Sequence, residues 1–276
     1  MIILLRSLAF NALFYLNTLL FLIAALPTFF MPYRAIVEVA KSWGRVNLVL
    51  LRVVAGIKCE IRGLEKLPPG PLIVASKHQS AWETFALLPL LDNPVFILKR
   101  ELQWIPVFGW LTIKGRMVPV DRGGGSQALA AMIERARAEL ADNRQLIIFP
   151  EGTRRPAGAE PRYKFGVAHL YTAEGVPCVP IALNSGLFWP RRSLRRFPGT
   201  VVAEILDPIA PGLDKDAFFA LLQNELETAT ARLSVAFVQV FGVFGAERIT
   251  LAVVAAQVAA QLGWDNDVVH GQCQRQ

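Results

Sequence analysis

Charge is scarce in this 276-residue chain: Asp, Glu, Lys and Arg make up 18% of it, where a soluble domain carries about 25%. The shortage is concentrated at the amino terminus, where Arg6 is the one charged residue among the first 31. Cysteine is scarcer still. Cys59, Cys178 and Cys273 lie too far apart for a disulfide framework or a zinc-ligand spacing, so a reduced compartment and no bound metal are expected. A G-x-S-x-G elbow is missing, which argues against a serine hydrolase. There is no internal repeat and no low-complexity run. Hydrophobic residues, at 53%, are too abundant for a disordered chain. Lys and Arg total 29 against 22 acids, a net +7 that suits membrane lipid or a phosphate-bearing ligand. Nucleic acid would suit the charge too, but no helix-turn-helix or stacking-aromatic pattern accompanies it, so no nucleic-acid partner is expected.

The uncharged amino terminus is itself a feature. Residues 7–31 form an apolar run long enough to cross a bilayer, which takes about 20 residues. Ser7, Asn11 and Thr18 put a weak polar stripe on one face of that helix, and Pro27 and Pro32 end it or kink it. No small-x-small site closes the run as a signal peptide would. A second helix is expected over 34–55. Glu38, Lys41, Arg45 and Arg52 recur on one side of it, and Ile36, Val39, Val46, Leu50 and Val53 fill much of the rest. A basic stripe on a broad apolar helix points to the bilayer interface, so residues 1–55 read as two membrane-seating helices.

From Gly56 the period changes. Strand patterns fall at 58–62, 72–75, 95–98, 117–120, 146–149, 178–183 and 201–206, with helical patterns clearest at 127–140 and 217–233. Strands alternating with helices predict an α/β domain around a mostly parallel central sheet, spanning residues 56–235. The basic segment 190–197 reads as a solvated loop or a headgroup contact. Residues 236–276 form a tail without an assigned role, in which 249–262 is Ala/Val-rich and too short to span a bilayer.

Four segments carry chemistry. His78-Gln79-Ser80-Ala81-Trp82-Glu83 follows the 72–75 strand. A histidine can take the proton of an attacking hydroxyl, and a carboxylate can hold the imidazole in the required tautomer. On one continuous helix, positions five apart face about 140° away from each other. The pair meets only if His78 lies in a turn and Glu83 on the first turn of the next helix. Ser80-x-x-Glu83 is also a capping box, which gives Glu83 a purely structural alternative. Phe149-Pro150-Glu151-Gly152-Thr153-Arg154 closes another strand with free amides, a hydroxyl and a guanidinium, the parts of an anion site or of an ordinary turn. Lys99-Arg100-Glu101-Leu102, ahead of Trp104 to Trp110, sets two cations beside an aromatic stretch, and Val179-Pro180-Ile181 is apolar wall.

In this order the four segments resemble the glycerolipid acyltransferases, over about residues 1–235. The resemblance implies that His78 is the general base and Glu83 its partner, at a place where the family more often has Asp. It implies that Lys99, Arg100, Glu151, Gly152, Thr153 and Arg154 serve the glycerol phosphate of the acceptor. It also implies lysophosphatidate and acyl-CoA or acyl carrier protein as substrates, phosphatidate as product, no cofactor, and a place on the cytoplasmic face of a bacterial inner membrane. Glycerol 3-phosphate or another lysolipid would fit the same motifs. A dinucleotide site at Gly123-Gly124-Gly125-Ser126-Gln127-Ala128 is the rival from another class, but Asp121 beside it would repel a pyrophosphate.

Overall fold

The strand and helix patterns fold into a single seven-stranded sheet. The computed structural model describes residues 1–241, so the 249–262 segment, His270 and Cys273 lie outside the described residues. The strands are β1 Ile57–Arg62, β2 Leu72–Ser76, β3 Pro94–Lys99, β4 Val118–Val120, β5 Gln145–Ile148, β6 Cys178–Leu183 and β7 Gly199–Ile205. Across the sheet they run β1-β7-β6-β2-β5-β3-β4. Five are mutually parallel (β6, β2, β5, β3 and β4), while β7 runs antiparallel to β6 and carries β1 parallel to itself. The expected α/β architecture is present, with a reversed pair at one edge.

Burial on both faces explains the continuous apolar runs of the central strands. All five residues of β2 are buried. Leu72 and Val74 join a cluster with Trp82, Phe85 and Phe188, and Ile73 and Ala75 join another with Met132, Leu170 and Phe218. This is the two-residue alternation of a strand between two layers. The first layer holds α1 Ile2–Ala24, α2 Tyr33–Leu50 and α3 Glu83–Ala86, and the second holds α5 Gly125–Ala141, α6 Gly166–Glu174 and α8 Lys215–Phe241. The short helices α4 Phe108–Lys114 and α7 Ser185–Phe188 follow β3 and β6.

The polar stripe of α1 turns out to be its docking face. Ser7 Oγ accepts the Arg196 amide at 2.8 Å, Asn11 Nδ2 donates to the Leu194 carbonyl at 2.9 Å, and Trp43 Nε1 donates to Thr18 Oγ1 at 3.1 Å. Phe10 and Phe14 pack among Trp43, Phe85 and Trp189 on the same side. The basic 190–197 segment is therefore only partly a free loop: the Arg196 guanidinium is buried against Asn11 Oδ1 at 2.8 Å and the Trp189 ring. Pro27 falls in a 3-10 turn, Leu26–Phe30, and Pro32 caps α2, so the break lies where it was expected.

On α2 the expected polar stripe is corrected. Lys41 is buried, donating to Glu38 Oε1 at 2.9 Å and to the Asp92 carbonyl at 3.1 Å, on the side that also buries Ile36, Val37, Gly44 and Asn47. The helix packs tightly there, since a Cβ at Gly44 would lie 2.5 Å from the Phe85 carbonyl oxygen. Residues 1–55 thus share a core with the sheet through Phe10, Leu51 and Ala55. The longest run of exposed apolar side chains belongs to α1, which with the following turn is long and apolar enough to cross a membrane and is only 11% buried over its most apolar window. Leu5, Leu16 and Ile23 lie on one side of α1 and are more than half exposed. Replacing all three with Glu is expected to move the full chain from the membrane to the soluble fraction and to leave its melting temperature within a few degrees. Retention in the membrane pellet would place the lipid contact elsewhere.

Candidate active site

Parallel α/β sheets gather their sites at the carboxyl ends of the strands, and the motif residues lie there. His78 follows β2, Glu151 follows β5, Lys99 and Arg100 close and follow β3, and Asn184 and Ser185 follow β6. The chain leaves β2 at Lys77, whose amide makes a last ladder bond to the Ile181 carbonyl at 3.1 Å, and turns through His78 before α3 begins at Glu83. The turn is what lets two residues five apart meet.

Glu83 is fully buried, and both of its oxygens are occupied. Oε1 lies 3.0 Å from His78 Nδ1 and accepts the Gln79 and Ser80 amides at 2.6 and 2.8 Å. Oε2 accepts the hydroxyls of Ser80 and Ser185, each at 2.9 Å. Burial alone would raise the pKa of this carboxyl, but the hydrogen bond and charge of His78 and the Ser80 amide hold it below the ordinary carboxylate value. An ionised carboxylate has no proton to give, so Nδ1 of His78 is the donor, and in the neutral imidazole Nε2 is the acceptor. Half of the expected capping box is present as well. Glu83 takes the Ser80 amide, but Ser80 Oγ accepts from Trp82 N–H at 3.0 Å and not from that of Glu83.

The Phe149–Arg154 segment wraps the other side of His78. Gly152 N–H donates to the Phe149 carbonyl at 2.8 Å, closing a turn with proline second and glycine (φ +65°) fourth. Because β5 lies beside β2, the Phe149 ring stacks on the imidazole at 4.0 Å between centroids, 14° from parallel. Glu151 Oε2 accepts the His78 amide at 2.8 Å, and the Arg155 amide donates to the His78 carbonyl at 2.7 Å. Both backbone polar groups of His78 are thereby fixed by the neighbouring strand's turn. Glu151 Oε1 accepts from the buried Lys77 Nζ at 2.7 Å, so this carboxylate faces inward. Thr153 and Arg154 are exposed on the turn, and no side chain bonds the Arg154 guanidinium among the described residues.

Lys99 and Arg100 stand at the end of β3, one strand beyond β5. They are half-exposed and loosely paired, Lys99 with Glu101 at 2.9 Å and Arg100 with Asp121 at 3.1 Å. The aromatic stretch after them begins with a strained bend: Phe108 N–H donates to the Pro106 carbonyl at 2.7 Å around Val107, at φ 63° and ψ −59°. That is a γ-turn rarely tolerated by a β-branched residue. Trp104 before it and Trp110 after it are exposed. The dinucleotide alternative fails on geometry, since Asp121 Oδ1 accepts the Gly123 amide at 3.0 Å where a pyrophosphate would have to sit. Ser185 and Lys77 are members of the site that the motif reading missed. The available signal was position: each lies just past a buried strand, at the sheet's carboxyl end.

The acyltransferase family model matches residues 58–184, the segment that holds all of these side chains except Ser185. The 1-acyl-sn-glycerol-3-phosphate acyltransferase of Pseudomonas aeruginosa is 39% identical over 185 residues, covering 67% of this chain and 71% of that protein. This chain belongs to the acyltransferase family. The alpha enzyme of the same name from Mus musculus is 32% identical over 185 residues, 65% of each chain, so the match spans just under two thirds of the mammalian relative. The crystal structure of the 1-acyl-sn-glycerophosphate acyltransferase PlsC from Thermotoga maritima has the same fold, with a TM-score of 0.70, 21% identity, and coverage of 83% of this chain and 96% of that one. The matched segment includes the histidine held by a buried carboxylate at the carboxyl ends of the parallel strands.

Proposed function

We propose that this acyltransferase moves an acyl chain from a thioester, acyl-CoA or acyl carrier protein, to the sn-2 hydroxyl of 1-acyl-glycerol 3-phosphate, forming phosphatidate. The observation that carries the reading is the His78–Glu83 pair, which leaves Nε2 as the free base. Nε2 takes the hydroxyl proton as the oxygen adds to the thioester carbonyl carbon. Glu83 stabilises the imidazolium. Collapse of the tetrahedral intermediate breaks the C–S bond, and the departing thiolate recovers the proton from Nε2. The thioester is already activated, so no cofactor and no covalent acyl-enzyme is needed. General base catalysis contributes about 10²–10⁴-fold, and positioning of the acceptor supplies much of the rest.

In this reading Arg154, Thr153, Lys99 and Arg100 hold the acceptor's phosphate between the ends of β5 and β3, and Gly152 shapes the turn. Glu151 serves the phosphate indirectly, by fixing His78 beside it. The exposed face of α1 seats the enzyme on the membrane that holds acceptor and product, at the cytoplasmic face where acyl thioesters are available. Arg154→Ala is expected to raise KM for phosphate-bearing acceptors by roughly ten- to a hundredfold, the loss of about 1.5–3 kcal/mol for a hydrogen bond to a charged group. The KM for the donor should stay within about twofold. Washed membranes given labelled acyl-CoA and a panel of lysophosphatidate, glycerol 3-phosphate and a phosphate-free lysolipid test both points. Preferential acylation of the phosphate-free acceptor, or loss of donor affinity alone in Arg154→Ala, would overturn the assignment.

A further inference from the structure

Behind the His78 turn, Lys77 Nζ is buried between two carboxylates. It lies 2.7 Å from Glu151 Oε1 and 2.7 Å from Glu227 Oε1, with its side chain 4% exposed. The two acids come from distant elements, the β5 turn and α8, 74 and 150 residues away in sequence. Tyr163 completes the cluster: its hydroxyl donates to Glu227 Oε1 at 2.6 Å, and Lys77 Nζ sits 5.3 Å from its ring centre. Nothing in the proposed reaction calls for a charge here, and burying the Lys77 and Glu151 charges, with Glu227 partly exposed beside them, is costly unless they hold something in place.

What they hold is the other oxygen of Glu151, which accepts the His78 amide at 2.8 Å. We infer that Lys77 is a positioning residue for acyl transfer: it keeps the buried Glu151 carboxylate ionised and oriented, and Glu151 in turn fixes the backbone of the catalytic histidine. The inference rests on the general-base reading of His78. Glu151 needs such a partner. Burial raises its pKa above the ordinary carboxylate value and Glu227 adds to the rise, while the Lys77 charge, the Lys77 hydrogen bond and the His78 amide limit it. The titratable side chains around it are Lys77, His78, Tyr163 and Glu227. Arg155 and Lys164 meet the same turn through their amides, on the carbonyls of His78 and Pro150.

Removing the cation should let Glu151 take up a proton near neutral pH. An opposite charge at this range displaces a carboxyl pKa by about one to three pH units. In Lys77→Met, the acid limb of kcat should therefore move to higher pH by at least about one pH unit. At pH 7, kcat should fall roughly severalfold, and much of the loss should be recovered near pH 9. KM for acceptor and donor should stay within about twofold, because Lys77 is sealed from both. A purely structural role would lower kcat equally at every pH. Lys77→Met/Glu151→Gln removes the stranded carboxyl yet keeps an acceptor for the His78 amide, so it should abolish the displacement.

If Lys77→Met does not accumulate as folded protein, Glu227→Gln gives the opposite sign. With a negative charge gone from beside Lys77, Glu151 stays ionised to lower pH, so the acid limb stays in place or moves down. The measurement is kcat and KM against pH for the full chain in membranes, with His78→Ala beside it. A wild-type acid limb in Lys77→Met, or an upward move in Glu227→Gln, overturns the inference. An active His78→Ala overturns the general-base reading instead, so the two failures are distinguishable.

Discussion

His78→Ala is expected to lower acyl transfer by about a thousandfold or more, within the range that general base catalysis supplies, while the protein folds and binds membrane as before. The geometry gives both halves of this expectation. Among the described residues, His78 is the one histidine held by the Glu83 carboxylate, through Nδ1, with Nε2 left as the acceptor; His169 lies on α6, in the other layer. The fold depends on the backbone of residue 78, and alanine keeps the amide that Glu151 accepts and the carbonyl that Arg155 bonds. What alanine loses is one ring, 13% exposed and stacked on Phe149. Purified His78→Ala with near wild-type turnover would remove the mechanism altogether.

Glu83→Gln is the sharper case, because the residue has a structural role and a proposed catalytic one. The amide should be tolerated. Its oxygen can take the place of Oε1 beneath His78 Nδ1 and the two amides. Its NH₂ group can face Ser80 Oγ and Ser185 Oγ, hydroxyls that rotate to accept where they now donate. The tautomer of His78 is kept as well. Only the negative charge is lost, and with it the stabilisation of the imidazolium. The expected result is a melting temperature within a few degrees of wild type and a kcat lower by about 10²–10⁴-fold. Glu83→Asp keeps the charge and should retain more activity than Gln despite its shorter reach. A stable, fully active Glu83→Gln enzyme would leave Glu83 as a turn-stabilising residue only.

The sheet was legible because its signals are local. The 178–183 run is β6 to the residue, and the other strands lie within two residues of their apolar runs. Only nine residues long, α6 carries a fainter period than the two long helices, with Val167, Ala168, Leu170 and Tyr171 buried on one side and Thr172 and Ala173 exposed on the other. The His78–Glu83 pair could be read because both residues sit in one short motif. The partners of buried charges could not. Lys77 meets its acids, and Arg196 meets Asn11, only once strands and helices far apart in sequence have packed. Glu151 shows the same limit from the other side. A carboxylate in a turn full of anion-binding groups reads as part of the ligand site until the fold shows it turned inward to Lys77.

The way α1 is fastened has a kinetic consequence. Ser7, Asn11, Thr18, Phe10 and Phe14 fix the helix along the layer that also holds Phe85, two residues from Glu83. An enzyme held to lipid through that helix meets its acceptor in two dimensions. In the proposed reaction its rate then follows the mole fraction of lysolipid in the bilayer, not the amount per volume of water. Diluting the acceptor with inert lipid at constant total lysolipid would slow the enzyme, and enlarging the aqueous volume would not.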